Sequence, residues 1–167
     1  MSEIRIEHWA WEKVDWGKLD PFFVTADLSH IPAGVKREGR ETETHLVVAL
    51  SDDQMVGGLF FLVQPIGPEM DIPVVCDPSS GEPLMEAKIR AFFVLPEMRN
   101  KGIGTRLQQA ILGKAAELGC FQVRSRSELD KDANYAIKLK LGFAMHPAYR
   151  VFDETSRAAG VYWVKAV

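Results

Sequence analysis

The feature that most constrains the fold is a strand followed directly by a helix, with two alternate glycines in the turn between them. Residues 84–95 alternate apolar side chains with polar or mixed ones, which is typical of a strand with one core face. Gly102 and Gly104 then open a segment whose apolar residues follow helical spacing as far as Gly119. This strand, turn and helix predict an α/β fold class.

Further strands and helices are predicted on both sides of this unit. Alternating or β-branched runs indicate strands at residues 4–6, 44–50, 55–64, 121–125, 143–151 and 161–167. Helical spacing indicates a helix over residues 132–141, and Asp15 is placed to cap another that begins near Trp16. We predict a mixed sheet of six or seven strands with helices on both faces. Its first strands are expected to be antiparallel.

Residues 65–83 hold five of the nine prolines of the chain, which excludes a regular helix or a central strand there. We interpret this segment as an insertion loop that covers either a functional site or only the sheet edge. No change of composition flanks it, and 167 residues suffice for one core. Residues 1–167 are therefore predicted to form a single domain.

Charge, apolar runs and cysteines exclude several classes of protein. The formal net charge is −3, from 20 Lys and Arg against 23 Asp and Glu, so we predict no nucleic-acid partner. The longest nearly apolar run, residues 55–63, is far shorter than the roughly 20 residues of a membrane helix, and residues 1–9 lack the apolar part of a signal peptide. Cys76 and Cys120 show neither metal-ligand nor disulfide spacing. We expect a cytoplasmic protein with no metal and no membrane association.

The turn between the strand and the helix is suited to bind a phosphate. Backbone N–H groups at a helix start are unpaired, and the helix dipole adds about half a positive charge there. Gly102 and Gly104 allow close approach of an anion, and Arg99, Lys101 and Arg106 add local positive charge. The segment lacks the third glycine of a dinucleotide fingerprint and the end of a P-loop. A plain helix cap is the alternative interpretation of the two glycines.

Arg99 precedes the first glycine with two residues between them, and this pattern resembles the Arg/Gln-x-x-Gly-x-Gly/Ala signature of the GNAT superfamily of N-acetyltransferases. The preceding strand, residues 84–95, and the later helix that ends at Gly142 and Phe143 follow the family's order. The resemblance implies a GNAT-like acyl-CoA N-acyltransferase fold. It also implies an enzyme that moves an acetyl group from acetyl-CoA, as co-substrate, to a primary amine of a small molecule by direct attack in a ternary complex.

The resemblance implies a set of residues that bind acetyl-CoA. The pyrophosphate would lie on residues 99–105. The pantetheine would run between two splayed parallel strands, residues 89–95 and 121–125, and pair with backbone groups of Phe92 and Val94. Asn134 would contact the distal pantetheine, with a helix cap as its alternative role. The candidate cofactor-binding residues are Phe92, Val94, Arg99, Asn100, Lys101, Gly102, Ile103, Gly104, Thr105, Asn134 and Lys138.

Two catalytic positions depart from the family pattern. The usual Tyr that protonates the CoA thiolate falls on Lys138, so Tyr135, one helical turn earlier, is the candidate acid, with core packing as its alternative role. The commonest carboxylate position falls on Arg90. Glu86 is therefore the candidate base, and a solvated charge paired with Lys88 is the alternative.

Three arginines are candidate substrate-binding residues. Alternation places Arg90 on the same strand face as Glu86, and Arg124 and Arg126 together on one face of the next strand. If these faces coincide, the acceptor pocket is cationic, and the acceptor amine is expected to carry a carboxylate or phosphate. Contact with solvent or with the CoA phosphates is the alternative.

Other functions stay open as alternatives. A non-catalytic acyl-CoA-binding or regulatory module is the main one, because Lys138 replaces the acid. A ping-pong route through Cys120 or Cys76 is disfavoured, since neither has a nearby His in sequence. The sequence leaves the oligomeric state open, with a homodimer as one alternative.

Overall fold

A mixed sheet of seven strands forms the centre of the protein. In this computed structural model, residues 3–151 and 157–167 are described. The strands are β1 (Ile4–Ala10), β2 (Thr44–Ser51), β3 (Gln54–Pro65), β4 (Met85–Val94), β5 (Gln122–Ser127), β6 (Ala144–Val151) and β7 (Arg157–Ala166). The α-helices are α1 (Trp16–Thr25), α2 (His30–Glu38), α3 (Ile103–Glu117) and α4 (Asp132–Lys140). No helix in the described ranges has the length and apolar character to cross a membrane.

The strand order across the sheet is β1-β2-β3-β4-β5-β7-β6. All neighbouring pairs are antiparallel except β4 and β5, which are parallel and are connected through α3. This topology confirms the predicted mixed sheet. The first strand is longer than predicted, because it continues to Ala10, and the segment after it forms two helices, α1 and α2.

The parallel strands β4 and β5 separate after a short paired stretch. Their register runs from Glu86 opposite Gln122 to Ile89 opposite Ser125, and β4 then continues to Val94 paired with β3. Backbone groups on the β5 side of this last part of β4 have no neighbouring strand. A gap between β4 and β5 therefore begins after Ile89 and Ser125.

One extra residue in β4, Arg90, interrupts the alternation of its side chains. Ile89 lies opposite Phe61 of β3 and Ala91 lies opposite Phe60, so Arg90 is left over as a β-bulge. Beyond the bulge the two faces of the strand exchange, and Phe92 packs on the same side as Ile89. The expectation that residues 84–95 alternate along their whole length is therefore wrong beyond Arg90.

Helices cover both faces of the sheet. On one side, here called the α3 face, α3 packs on the central strands through Ile103, Leu107, Ile111, Val47, Leu59, Phe61, Ala87, Val123 and Trp163. On the other side, here called the α1 face, the buried layer contains Leu19, Phe22, Phe23, Leu46, Val48 and Phe60. Each fully buried large apolar side chain contributes about 1.5–3 kcal/mol, so both layers hold β4 and β5 in position.

The Pro-rich segment between β3 and β4 is an insertion loop, as predicted, with one 3₁₀ turn at Pro68–Met70. A backbone hydrogen bond from Ile66 N–H to Leu84 O joins its two ends. Glu69 on this loop accepts a hydrogen bond from Arg124 of β5. Because Arg124 alternates with the core residues of β5, the loop lies against the α1 face.

Candidate active site

A cleft of about 820 Å³ lies beside the β4–β5 gap. It is bounded by the end of β4, the turn before α3, the first turn of α3 and the first half of α4. The candidate cofactor-binding residues that line it are Phe92, Val94, Arg99, Asn100, Gly102, Ile103, Gly104, Thr105 and Asn134. Lys101 and Lys138 do not line it. A second cavity of about 730 Å³, between β1 and α1, contains none of the predicted site residues.

The turn before α3 presents backbone N–H groups to this cleft. Asn100 and Gly102 have positive φ values of 61° and 76°. A Cβ at Gly102 would meet no atom within 4 Å, so the space next to the backbone is open. The N–H groups of the first helical turn have no helical acceptor, and the helix dipole favours an anion there. The turn therefore has the geometry of a phosphate site.

The two arginines of the signature region have different surroundings. Arg99 Nε donates to Val94 O at 3.1 Å, and its guanidinium lies 5.4 Å from the centroid of the Phe93 ring at the cleft. Arg106 Nη2 donates to Ile4 O of β1 at 2.8 Å, away from the cleft lining. Arg99 can thus face an anion on the turn, whereas Arg106 connects α3 to β1.

Gly104 is needed for packing as well as for access to the turn. A Cβ at Gly104 would lie 3.1 Å from Phe92 Cζ and 3.1 Å from Ile137 Cδ1. Both distances are shorter than ordinary van der Waals contact. The missing side chain therefore allows α3, α4 and the end of β4 to approach closely around the cleft.

The buried polar atoms without a hydrogen-bond partner on the elements beside the gap include two oxygens, Asn134 Oδ1 and Ser125 Oγ. Asn134 Nδ2 donates to Ser127 Oγ at 2.8 Å, which fixes the orientation of the amide. A buried acceptor without a donor costs about 1–3 kcal/mol, and an amide N–H of a pantetheine chain would satisfy it. The residues of the cleft therefore fit an acyl-CoA.

Lys138 lies in the interior, not with the cofactor residues. Its side chain is 0% exposed, its Nζ donates to Gln108 Oε1 of α3 at 2.8 Å, and it lies 4.0 Å from the Phe143 ring centroid. Burial lowers the pKa of Lys138 to about 7. The structure does not bring Lys138 to the cleft, because its side chain lies between α3 and α4, and a role in cofactor binding stays a prediction.

Tyr135, the candidate acid, has structural contacts. Its hydroxyl donates to Glu128 O at 2.7 Å, and its ring meets the Trp163 ring edge-on at a centroid distance of 5.0 Å. Burial, Asp130 and Asp132 raise the pKa of Tyr135. Tyr135 does not line the cleft. These contacts match the alternative of core packing.

Glu86, the candidate base, is fully engaged. Its side chain is 0% exposed, and Arg124 Nε and Nη2 donate to its two oxygens at 2.8 and 2.6 Å. Gln64 and Gln122 each donate a further hydrogen bond at 3.0 Å. Burial raises the pKa of Glu86, but the hydrogen bonds from Arg124 and Gln122 outweigh it, so the pKa is lowered. A carboxylate with four donors and a lowered pKa is a weak proton acceptor.

Glu69, Lys88 and Tyr162 extend this buried charge network. Glu69 Oε2 lies 3.5 Å from Lys88 Nζ and 2.8 Å from Arg124 Nη2. The Tyr162 ring centroid lies 5.0 Å from Lys88 Nζ and 5.2 Å from Arg124 Cζ. Burial, and then Arg124, lower the pKa of Lys88 to about 8. The sequence did not indicate Glu69, because this residue lies in an irregular loop. For Tyr162 the available signal was its alternation with the core residues Val161 and Trp163 of β7, which places it on the other face of the sheet.

The three arginines predicted to bind substrate differ in their partners. Arg124 is paired with Glu86. Arg90 Nη2 lies 3.6 Å from Glu38 Oε1 at the end of α2. Arg126 Nε and Nη2 are buried and lack hydrogen-bond partners. Arg90 and Arg124 are therefore each paired with a glutamate, and Arg124 and Arg126 share a face of β5.

Neither cysteine has the surroundings of a nucleophile. Cys120 is buried, and burial together with Glu86 raises the pKa of its thiol to about 11, so it is protonated near neutral pH. Cys76 is exposed on the insertion loop. Within residues 3–151 and 157–167, no cluster of three or more His, Cys, Asp or Glu side chains is placed to hold a metal ion.

Comparison with known proteins gives a consistent picture. The structure is similar to NAA60 from Arabidopsis thaliana in complex with acetyl-CoA, with a TM-score of 0.74, 13% identity and coverage of 99% of both chains. It is similar to a Bacillus subtilis acetyltransferase in complex with CoA, with a TM-score of 0.64, 15% identity and coverage of 99% of both chains. A ribosomal-protein alanine N-acetyltransferase from Escherichia coli gives a TM-score of 0.66 at 15% identity over 99% of this chain and 94% of that one. No curated protein matches the sequence.

A family match adds to this likeness of fold. Residues 4–143 match the model of the acetyltransferase (GNAT) family. The matched range includes β4, the turn, α3, β5 and α4, which together build the cleft. The chain therefore belongs to the GNAT family of acetyltransferases and is an acyltransferase.

Proposed function

We propose that this protein transfers an acetyl group from acetyl-CoA to the primary amine of a small molecule, by direct attack in a ternary complex. The observation that carries the proposal is the gap between β4 and β5, with the cleft beside it and Arg126 on its α1 side. An acetyl donor in the cleft and an amine on the α1 side would meet in this gap. Two similar structures hold acetyl-CoA or CoA, which supports the same co-substrate here.

The binding roles proposed for acetyl-CoA follow the cleft. The N–H groups of residues 99–105 and the Arg99 guanidinium would hold the pyrophosphate, with Lys101 nearby as a further charge. The unpaired backbone of β4 at Phe92 and Val94 would hydrogen-bond the pantetheine amides. Asn134 Oδ1, which is buried without a hydrogen-bond partner, would accept a hydrogen bond from a pantetheine amide N–H.

The transfer forms a C–N bond between the amine and the acetyl carbon and breaks the C–S bond to CoA. The nitrogen loses one proton, and the departing sulfur ends as a thiol. An alkyl amine has a pKa of about 10.4, so releasing its proton at pH 7 costs about 4.6 kcal/mol. We propose that water carries this proton, because Glu86 is fully engaged and Lys138 lies outside the cleft. Holding both reactants in place can supply up to about 7–11 kcal/mol, which compensates for a weak acid and base.

The α1 side of the gap favours a small acceptor. The insertion loop reaches this side through Glu69, and Glu38 of α2 holds Arg90 at the bulge. We propose that these two elements limit the space for the acceptor. A peptide acceptor is the alternative to include in a test, because one similar structure is a ribosomal-protein alanine N-acetyltransferase.

Thiol release from acetyl-CoA, measured with a panel of amines, tests the proposal. The panel contains amino acids, polyamines, aminoglycosides and peptides with a free N-terminus. We expect small amines to exceed the peptides in kcat/KM by about 10-fold or more. Higher activity with peptides would replace the small acceptor by a protein one. Tight binding of CoA without turnover of any amine would favour the non-catalytic acyl-CoA-binding module.

A further inference from the structure

Arg126 is the first residue of β5 beyond the stretch that pairs with β4. The last parallel pair is Ile89 with Ser125, and β5 continues with Arg126 opposite Tyr162 of β7. Because side chains alternate along a strand, Arg126 lies on the α1 face together with Arg124. Its guanidinium therefore lies on the side of the gap from which the proposed amine approaches.

One edge of the Arg126 guanidinium has no hydrogen-bond partner. The atoms concerned are Nε and Nη2, and both are buried. In Arg124 the same two atoms bind the two oxygens of Glu86 at 2.8 and 2.6 Å. These two N–H groups are parallel and match the spacing of carboxylate oxygens. Arg126 thus has the binding edge that Arg124 uses, but without an anion.

The acidic residues on the α1 face are already paired with other cations. Glu86 binds Arg124, and Glu69 lies within ion-pair distance of both Lys88 and Arg124. Among the residues that the structure describes, no ion pair to Arg126 is found. Within the described part of the chain, Arg124 and Lys88 thus have carboxylate partners, and Arg126 has none.

Gly160 of β7 provides the space in which the Arg126 side chain rests. A Cβ at position 160 would lie 3.1 Å from Arg126 Nη2 and 2.7 Å from Ser127 O. The edge is shielded from water in this position, so the guanidinium must turn toward the gap to meet a ligand. A buried donor without a partner is unfavourable. Rotation of the Arg126 guanidinium toward a bound anion is therefore favoured.

We propose that Arg126 binds the carboxylate of the acceptor, so that the substrates are small molecules that carry both a primary amine and a carboxylate. The inference rests on the proposed acetyl transfer at the same gap. Two parallel N–H···O bonds would hold the carboxylate and orient the amine toward the acetyl group. Arg124 cannot take this role, because Glu86 occupies its edge.

Acceptors compared with their own amides test this proposal. β-Alanine and β-alaninamide, or phenylalanine and phenylalaninamide, share an amine and a shape but differ in the negative charge. In the wild-type protein we expect kcat/KM about 100-fold higher for the acid, mainly through KM. In Arg126→Gln the ratio should approach one while activity on the amide is retained, and Arg126→Lys should restore part of the ratio. O-phosphoethanolamine shows whether a phosphate can replace the carboxylate.

Arg37→Gln is the matched control, because it removes an exposed arginine of α2. It should leave the ratio of acid to amide unchanged. Equal kcat/KM for acid and amide in the wild-type protein would overturn this inference and leave acetyl transfer to amines intact. If no amine is acetylated, calorimetric titration of the acid and of the amide into the protein with bound CoA tests the inference. Tighter binding of the acid that is lost in Arg126→Gln supports it. Equal binding of the acid and the amide overturns it.

Thermal denaturation separates binding from a structural role. Because Arg126→Gln removes an unpaired buried cation, its Tm should equal or exceed that of the wild-type protein. A large fall in Tm would show that the Arg126 charge is already compensated within the folded chain, and this would overturn the inference.

Discussion

The burial and the partners of Lys138 and Glu86 become known only from the three-dimensional structure. Their positions on α4 and β4 follow from the helical and strand patterns. Their surroundings do not, because the Gln108 contact depends on how α3 and α4 pack, and the Arg124 contact depends on the β4–β5 register. Both residues are 0% exposed. Sequence reasoning could thus place these charges but not recognise that they are internal.

Replacing Lys138 should change the pH dependence of stability. Its folded-state pKa of about 7 lies below the ordinary 10.5, so between these values the unfolded chain binds one more proton and stability rises with pH. The penalty below pH 7 amounts to about 5 kcal/mol, at 1.36 kcal/mol per pKa unit. In Lys138→Met with Gln108→Leu, the free energy of unfolding in urea should lose this rise between pH 7 and 10.

Lys140→Met is the control for that experiment, because Lys140 is exposed on the same helix. Its slope of stability against pH should match the wild-type slope. Equal slopes in all three proteins would contradict a neutral, buried Lys138.

Glu86→Gln should affect stability far more than chemistry. The change leaves Arg124 buried without its partner, which costs about 3–5 kcal/mol. The double variant Glu86→Leu with Arg124→Met should recover most of the loss in urea denaturation. Because the folded-state pKa of Glu86 is lowered, its contribution is present above the ordinary carboxyl pKa and is lost as the pH falls through the folded value.

The kcat of acetyl transfer by Glu86→Gln provides the contrasting outcome. If Glu86 were the base, Glu86→Gln would abolish kcat while the unfolding free energy stayed unchanged. The structure predicts the reverse, with residual kcat in the folded fraction of the variant.

At the scale of elements, the sequence pattern predicts the extent of β4 but not its bulge. The alternation predicts residues 84–95 as a strand, close to the observed Met85–Val94. The bulge at Arg90 is invisible in that pattern, because it is defined by the register with β3. The start of α3 at its glycines was predictable, since it depends on local backbone chemistry.

Two glycines of α3 should respond differently to alanine. Gly113 is exposed and a Cβ there would meet no atom within 4 Å, so Gly113→Ala should stabilise the protein by about 1 kcal/mol through helix propensity. Gly104→Ala must displace Phe92 and Ile137, so crowding should cancel that gain. Midpoints of urea denaturation measure both variants. An equal gain at both positions would show that Phe92 and Ile137 yield freely.

At the scale of the whole molecule, strand order is the part that single-segment patterns cannot supply. Alternation finds strands but does not say which of them are neighbours, and β6 and β7 join the sheet in reverse order beside β5. The family resemblance supplied the parallel, splayed pair. The insertion loop was predicted as a loop, but its contact with Arg124 requires the assembled sheet.

Binding of CoA should stabilise the entire fold through the turn before α3. A ligand at 100 times its Kd adds about 2.7 kcal/mol, which is readily measured as a rise in Tm. Arg99→Ala should reduce this rise, because Arg99 lies at the cleft. Arg106→Ala should keep it, because that side chain binds Ile4 O instead. An equal reduction in both variants would place the phosphates farther along α3 than we propose.

The bulge in β4 makes Arg90 a residue that the pairing with β3 does not use. Ile89 and Ala91 lie opposite consecutive residues of β3, so deleting Arg90 would leave a regular ladder with Phe92 still on the face of Ile89. Substitution at position 90 should be tolerated for the same reason. Engineering of this strand can therefore vary or remove the residue at the bulge without turning Phe92 to the other face of the sheet.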